Sequence, residues 1–518
     1  MGARPAPAGR ARRGARLGGR PGTLAGEGGR PSRGRTGGGR PQSPGGQRPP
    51  QRGRADPARR AACDVLCAVT ERDAYANLLL PATLTERGLT GRDAALATEL
   101  TYGTLRGRGT YDTVLAVCSD RELDTLEPAV REILRLGTHQ LLGTRIASHA
   151  AVATSVDLVR DVVGPRPAGF VNAVLRRVSA RDLEAWLEIA APARADDLEG
   201  HLAVRYSHPR WIVTALRAAL GGSLAETESA LAADSERPAV TLCAVPGLAE
   251  SAELAAAGAA PARWSEFGAY LPEGDPARIA AVAQGRAGVQ DEASQLAAIA
   301  LTRVPDGVSG GGSGGDHRWL DLCAGPGGKA RLLGGLAARK GARLVAAEIR
   351  PHRARLVRSA AARPGGPGGA GDLVTDVVVA DGTRPPWAPG SFDRVIADVP
   401  CSGLGALRRR PEARWRRSPQ AVADLGGLQR RLLTSALESA RPGGVVAYIT
   451  CSPHLAETRD VVADVLSAQS GVEVLDAPAV LAEVPDLACA DPHGRFAQFW
   501  PHRHGTDAIF LALLRRPS

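Results

Sequence analysis

At 518 residues the chain exceeds what one hydrophobic core usually fills, so two or three domains are expected. It has no uncharged apolar run of about eighteen residues, and its N-terminus lacks the apolar stretch of a secretory signal, which argues against membrane and secreted classes and predicts a soluble, cytoplasmic protein. The net charge of +11 invites a nucleic-acid partner, but its distribution decides how that charge is read.

Residues 1–55 hold thirteen arginines and one acid, Glu27, leaving 52 basic and 53 acidic side chains in the remainder. The basicity therefore belongs to an Arg/Gly/Pro-rich tail that has too few apolar residues to fold. The tail either adds sequence-independent phosphate affinity or is simply solvated.

From residue 56 to about 195, apolar residues recur at spacings of three and four, as in Ala62, Val65, Leu66 and Val69, then Val130, Ile133, Leu134 and Leu141. No strand-like alternation interrupts them, which predicts an all-α domain of six or seven helices. Residues 196–285 mix the helical stretch "HPRWIVTALRAAL" with short apolar pieces such as "AVTLCAV", and predict a small α/β connecting subdomain. "SGGGSGG" (309–315) and "RPGGPGGAG" (363–371) read as flexible insertions.

In residues 286–518, the runs "RWLDLCA", "ARLVAAE", "LVTDVVVA", "FDRVIAD", "GVVAYIT" and "DAIFLALL" alternate with helical stretches. Near-continuous apolar strands separated by helices predict a parallel sheet covered on both faces, with ligands beyond the carboxyl ends of the strands.

"LDLCAGPGGKA" (320–330) leaves the first of these strands through a Gly/Pro loop into a helix, where free N–H groups favour an anion. A triphosphate-binding loop would need glycine and Ser/Thr where Cys323 and Ala330 stand, and a nicotinamide fingerprint needs a glycine spacing that Gly325-Pro326-Gly327-Gly328 does not supply. Glu348, Asp381 and Asp398 follow successive strands and suit ribose hydroxyls, an adenine edge and a reacting group. That order of groups fits S-adenosylmethionine. Lys329 is one of two lysines beside 63 arginines, which suggests a position that needs a compact point charge.

The eight cysteines show neither zinc-site pairs nor a disulfide framework, and are read as reduced thiols. Cys63, Cys67, Cys118, Cys243 and Cys489 read as small buried hydrophobes, and Cys323 as structural or as a backbone contact of the cofactor loop. Cys401 in "VIADVPCSGLGA" and Cys451 in "GGVVAYITCSPH" differ, because both stand in turns beyond strand ends. Carbon 5 of cytosine is a poor nucleophile until a thiolate adds to carbon 6, and such chemistry needs a reactive cysteine, an acid on N3 or N4 and a means of release. Asp398, Cys401 and Cys451 supply these groups on strands that are neighbours or nearly so.

"DLCAGPGGK", "DVPCSGLGALRRRPEARW", "TCSPH" and "WPHRHGTDAIF" resemble the motifs of RNA cytosine-C5 methyltransferases of the Nop/Sun family, and in particular the bacterial 16S rRNA enzymes of the RsmB/Fmu/Sun type. The likeness spans about residues 56–516. It implies an all-α NusB-like RNA-binding domain joined to a Rossmann-like α/β methyltransferase domain, with S-adenosylmethionine as cofactor and 16S rRNA, not DNA or a membrane, as partner of a monomer. It further implies Cys451 as nucleophile and Cys401 as release cysteine, an assignment that chemistry alone leaves open because DNA cytosine methyltransferases use the thiol of the Pro-Cys motif. Cofactor contacts are implied for Cys323, Ala324, Gly325, Pro326, Gly327, Gly328, Lys329, Glu348, Asp381 and Asp398. Glu348 stands where the family usually has Asp, and Ala330 where it has Thr.

"RRRPEARWRR" (408–417) follows the first cysteine motif. Arg408, Arg409, Arg410 and Arg414 around Trp415 are expected to hold phosphates and stack on an unpaired base; the alternative is an exposed charged loop. His493, His502, His504 and Asp507 resemble a ligand set, but His502 and His504 alternate as on a strand and the chemistry needs no metal, so none is expected. The competing functions are a tRNA cytosine-C5 methyltransferase and a noncatalytic NusB-like RNA-binding protein.

Overall fold

The computed structural model describes residues 55–305, 316–362, 373–374, 376–489 and 494–517. Nearly all of the basic tail, both Gly-rich insertions and His493 lie outside the described residues.

Eight α-helices run from Pro57 to Ala190, more than the periodicity predicts. The difference arises partly at Gly107, which ends the helix Gly91–Arg106 and begins the helix Arg108–Cys118 where the sequence pattern reads on without a break. The first helix, Pro57–Glu71, starts on a cap legible in "DP": the Asp56 carboxylate accepts from the Arg59 amide at 2.9 Å, and proline takes the first turn, where no amide donor is needed. Val65, Leu66, Leu100, Val114, Ile133, Leu134 and Val171 share one buried cluster.

The connecting region is not one α/β unit, as expected of residues 196–285. Its helices Leu198–Arg205, Arg210–Ala219 and Leu224–Ala233 bury Leu202, Ile212, Val213 and Leu231 against Leu404 and Leu407 of the loop after Cys401. Its strands β1 (Val240–Ala244), β2 (Ala260–Pro261) and β3 (Gly268–Leu271) join β4 (Ala287–Val289), beyond the expected boundary, in an antiparallel sheet with its own core. Apolar spacing locates such segments but does not say which core receives them.

The last part of the chain forms β5 (Arg318–Asp321), β6 (Arg343–Ala347), β7 (Asp376–Val378), β8 (Phe392–Asp398), β9 (Ala440–Thr450), β10 (Glu473–Leu475), β11 (Ala497–Gln498) and β12 (Phe510–Arg515). The sheet order is β7-β6-β5-β8-β9-β12-β10, with β11 paired to β12. Strands β5 to β9 are parallel, as expected; β12 runs antiparallel to β9, and β10 and β11 antiparallel to β12, so the sheet is mixed. Alternate residues feed two layers: Trp319, Leu344, Ile396 and Leu511 pack on one face with the helices Glu292–Arg303 and Gly328–Arg339. Leu320, Val395, Tyr448 and Phe510 pack on the other with Pro419–Ser439 and Arg459–Ala468. The chain builds outward from β5 to β7, then returns to β8 on the other side of β5. Strand ends beside that reversal open a crevice.

Candidate active site

The crevice is a cleft of about 310 Å³ beyond the strand ends, lined by Cys323, Gly325, Glu348, Asp381, Asp398, Cys401 and Cys451 among others. A second hollow of about 120 Å³ lies against the same loop, between Asp321, Ala324, Pro326, Gly328, Lys329 and Asp398. The sheet therefore gathers most of the predicted cofactor residues and both predicted cysteines around one opening.

Each residue is placed by its strand. After β5 the chain stays tied to its neighbours, Leu322 N donating to Ile396 O and Ala324 N to Ala347 O, both at 2.9 Å, before Gly327 introduces the helix Gly328–Arg339. At Gly325 the backbone comes close to Glu348: a Cβ there would stand 2.1 Å from Glu348 Oε2 and would displace that carboxylate. Glu348 itself is buried; its Oε1 accepts from the Arg350 amide at 2.9 Å, and Arg353, 3.5 Å from Oε2, also donates to Gly325 O at 2.5 Å. Asp381 is exposed and takes the amide and hydroxyl of Thr383 at 2.9 and 2.8 Å, which hold its carboxyl below the usual range.

Asp321 is a site residue that the sequence reading did not single out. It is buried, its Oδ1 accepts from Cys323 N at 3.3 Å, and its Oδ2 has no hydrogen-bond partner among the described residues. Burial, reinforced by Asp398, pushes its pKa up to about 7. An orphaned carboxylate oxygen in the small hollow suits a ligand ammonium, and Glu348 and Asp381 offer acceptors to hydroxyl and amine donors. The residues present thus fit a methyl donor carrying an amino acid, a ribose and an adenine. Its place in the motif "LDLC", at the last residue of a strand, was the available signal.

The two thiols meet. In the β8–β9 register Asp398 lies opposite Ile449, so the turns that follow reach the same edge, and Cys401 Sγ stands 3.2 Å from Cys451 Sγ. Gly405 N closes onto Cys451 O at 2.8 Å, an approach any side chain would block, since a Cβ at Gly405 would meet Ala508 O at 1.9 Å. Beneath the thiols lies the fully buried Glu457, which the sequence reading missed. Its Oε1 accepts from the Ser402 amide at 2.7 Å and Gln429 Nε2 at 3.2 Å, its Oε2 from the Ser402 hydroxyl, and its carbonyl from Tyr448 Oη at 2.8 Å. Ser402 and Ser452, the residues after the two cysteines, have hydroxyls 3.1 Å apart. One carboxylate thus braces both cysteine turns.

Lys329 Nζ donates to Asp398 Oδ2 at 2.9 Å. The hydrogen bond from Cys401 holds the Cys451 thiol below its ordinary value against the opposing effect of burial, and Lys329 acts in the same direction, while Asp398 opposes it. Cys401, as donor to Cys451 and buried, is pushed up. Burial also raises Cys323, in keeping with a structural thiol. Of the other cysteines, Cys63, Cys118 and Cys243 are buried, while Cys67 and Cys489 are half-buried.

Most of the expected RNA loop is corrected by the structure. Arg414 is fully buried and donates to the carbonyls of Arg106 at 3.1 Å, Ser207 at 3.1 Å and Asp234 at 2.7 Å. Arg408 is buried with Nη2 on Gly505 O at 2.9 Å, and Arg409 bridges Asp507 at 3.0 Å and Asp291 at 2.8 Å. Trp415 packs toward Gly109, with the Arg108 guanidinium 5.5 Å from its ring centroid. Arg414 and Trp415 join the helical and catalytic parts, while Arg408 and Arg409 tie the loop to the catalytic part itself; only Arg410 of the named arginines is exposed. His502 and His504 lie on a short helix, Pro501–His504, and not on a strand. His502 contacts Glu226 at 3.0 Å, His504 Nε2 meets Pro485 O at 2.9 Å, and Asp507 is committed to Arg409.

Known proteins agree with this architecture. A family model described as 16S rRNA methyltransferase RsmB/F matches residues 313–515, and one described as the NusB family matches residues 56–180. A putative methyltransferase of Mycobacterium tuberculosis is 51% identical over 471 residues, covering 90% of this chain and 98% of that one. Ribosomal RNA small subunit methyltransferase B of Pseudomonas syringae pv. tomato is 32% identical over 466 residues, covering 88% and 96%. The crystal structure of PH0851 shares the fold, with a TM-score of 0.70 over 89% of this chain and 99% of that one at 21% identity. In the described residues no helix is long and apolar enough to cross a membrane. With its cleft, its paired thiols and these relatives, the chain belongs to the RsmB/F family of rRNA methyltransferases, carrying a NusB-family domain ahead of the methyltransferase domain.

Proposed function

We propose that this protein methylates carbon 5 of a cytosine in 16S rRNA through a covalent adduct between Cys451 and carbon 6 of the base. The observation that carries the reading is the 3.2 Å approach of the Cys401 and Cys451 sulfurs in one cleft with Asp398. S-adenosylmethionine, held by the 323–329 loop, Asp321, Glu348 and Asp381, supplies an electrophilic methyl group when bound.

The thiolate of Cys451 gives its electron pair to carbon 6, and the displaced π electrons enrich carbon 5. Asp398, oriented by Lys329, holds the N3–N4 edge of the base in place by accepting from its N4 amine. Once carbon 5 is methylated, a base in the cleft takes its proton, the freed electron pair restores the C5–C6 double bond, and the Cys451 sulfur leaves as a thiolate. Cys401, in contact with that sulfur, is assigned to this release step.

Bisulfite sequencing of 16S rRNA from cells with and without the gene tests the product: a cytosine protected only when the gene is present is expected. For the mechanism, Cys451→Ala abolishes transfer, whereas Cys401→Ala accumulates an RNA–protein adduct that survives denaturing electrophoresis. An adduct trapped by the Cys451 variant instead would reverse the two roles.

A further inference from the structure

The structure moves the expected aromatic contact from Trp415 to the opposite end of the chain. Tyr75, immediately before the helix Ala76–Glu86, lines the same cleft as Asp398, Cys401 and Cys451 and keeps 45% of its surface exposed. Its turn is held from the catalytic side. Arg416 Nη2 donates to Val69 O at 3.0 Å and Ala74 O at 2.5 Å, and Glu412 Oε1 accepts from the Ala76 amide at 3.3 Å. The Arg416 and Arg410 guanidiniums lie 5.2 and 5.6 Å from the Tyr75 ring centroid. Arg410 and Arg417 also line the cleft, are exposed, and make no ion pair among the described residues.

An aromatic ring and two cations without ion pairs among the described residues, at the rim of a cleft that also carries the thiols, have the chemistry of a nucleotide site. A cytosine in covalent reach of Cys451 must leave its stack, and its extrusion deprives the adjacent base of a stacking partner. We propose that Tyr75 is the stacking platform for a nucleotide flanking the target base, with Arg410 and Arg417 on the adjoining phosphates, so that the helical domain completes the RNA site of the catalytic domain. Stacking on an aromatic tolerates any base, so the platform holds the strand rather than reads it. The inference rests on RNA being what enters the cleft.

The test uses the full-length protein and 16S rRNA stripped of ribosomal proteins. Tyr75→Ala is expected to raise the KM and the filter-binding Kd for this RNA by roughly tenfold, the loss of one base–aromatic stack, with the KM for S-adenosylmethionine unchanged. Tyr75→Phe and Tyr75→Trp retain RNA affinity. Arg410→Gln with Arg417→Gln is expected to weaken binding and flatten its salt dependence. Wild-type RNA affinity in Tyr75→Ala overturns the inference, as does a loss in Tyr75→Phe equal to that in Tyr75→Ala, which would assign the effect to the hydroxyl. A wild-type protein that binds rRNA through Tyr75 yet transfers no methyl to it overturns the proposed reaction and leaves the platform standing.

Discussion

The Lys329 ammonium serves two groups, pairing with Asp398 and lowering the pKa of Cys451. Because the thiolate is the reactive form, the single-turnover rate rises with pH through the Cys451 pKa. Replacing Lys329 by Gln removes a cation that favours the thiolate and frees the charge of Asp398, which opposes it. Both changes raise that pKa, so the rise in rate is expected to move to higher pH; the pH profile of Cys451 alkylation in the absence of RNA checks this independently of turnover. At this scale the sequence was legible where chemistry restricts the residue. A lysine in an arginine-biased chain and two cysteines in turns after strands could be singled out without a structure. The arginines of 408–417 could not be sorted, because a run of charge looks alike whether it meets solvent or backbone carbonyls that fold in from Arg106, Ser207 and Asp234. Tyr75, a single aromatic in "RDAYAN", carried no local signal.

Strands and helices were legible from apolar period, but their partners were not. The run "DAIFLALL" marks a strand whichever way it points; it lies antiparallel between β9 and β10 because of the chain's route through the segment before it. The same limit hid Glu457, whose place on a 3₁₀ turn after Cys451 becomes meaningful only when β8 and β9 are adjacent. Glu457→Ala strips an acceptor from the Ser402 amide and hydroxyl and from Gln429. A loss of roughly 2–4 kcal/mol in unfolding free energy is expected, measured by denaturant titration. Glu457→Gln preserves volume and one acceptor. It is expected to lower kcat while leaving the KM for RNA near wild type, since it loosens the two thiols relative to each other without touching the rim of the cleft. An equal loss in both parameters would show that the brace acts on binding.

Across the whole molecule, the loop after Cys401 is where the parts meet. Leu404 and Leu407 enter a core with the connecting helices, and Arg414 answers carbonyls on three distant stretches. Burial lowers the pKa of Arg414 to about 10, still far above neutrality, so a full charge is held there by backbone dipoles. Arg414→Met is expected to cost on the order of 3 kcal/mol and to separate thermal unfolding into two transitions, seen by calorimetry, as the helical half comes loose. Arg414→Lys does not rescue it, because one ammonium cannot span the fork of a guanidinium. A chimaera that imports the helical half from a relative therefore keeps its catalytic loop seated only if donor and recipient share the main-chain course at residues 106, 207 and 234. Insertions near those three positions, which shift the carbonyls that Arg414 meets, are the changes such hybrids will not survive.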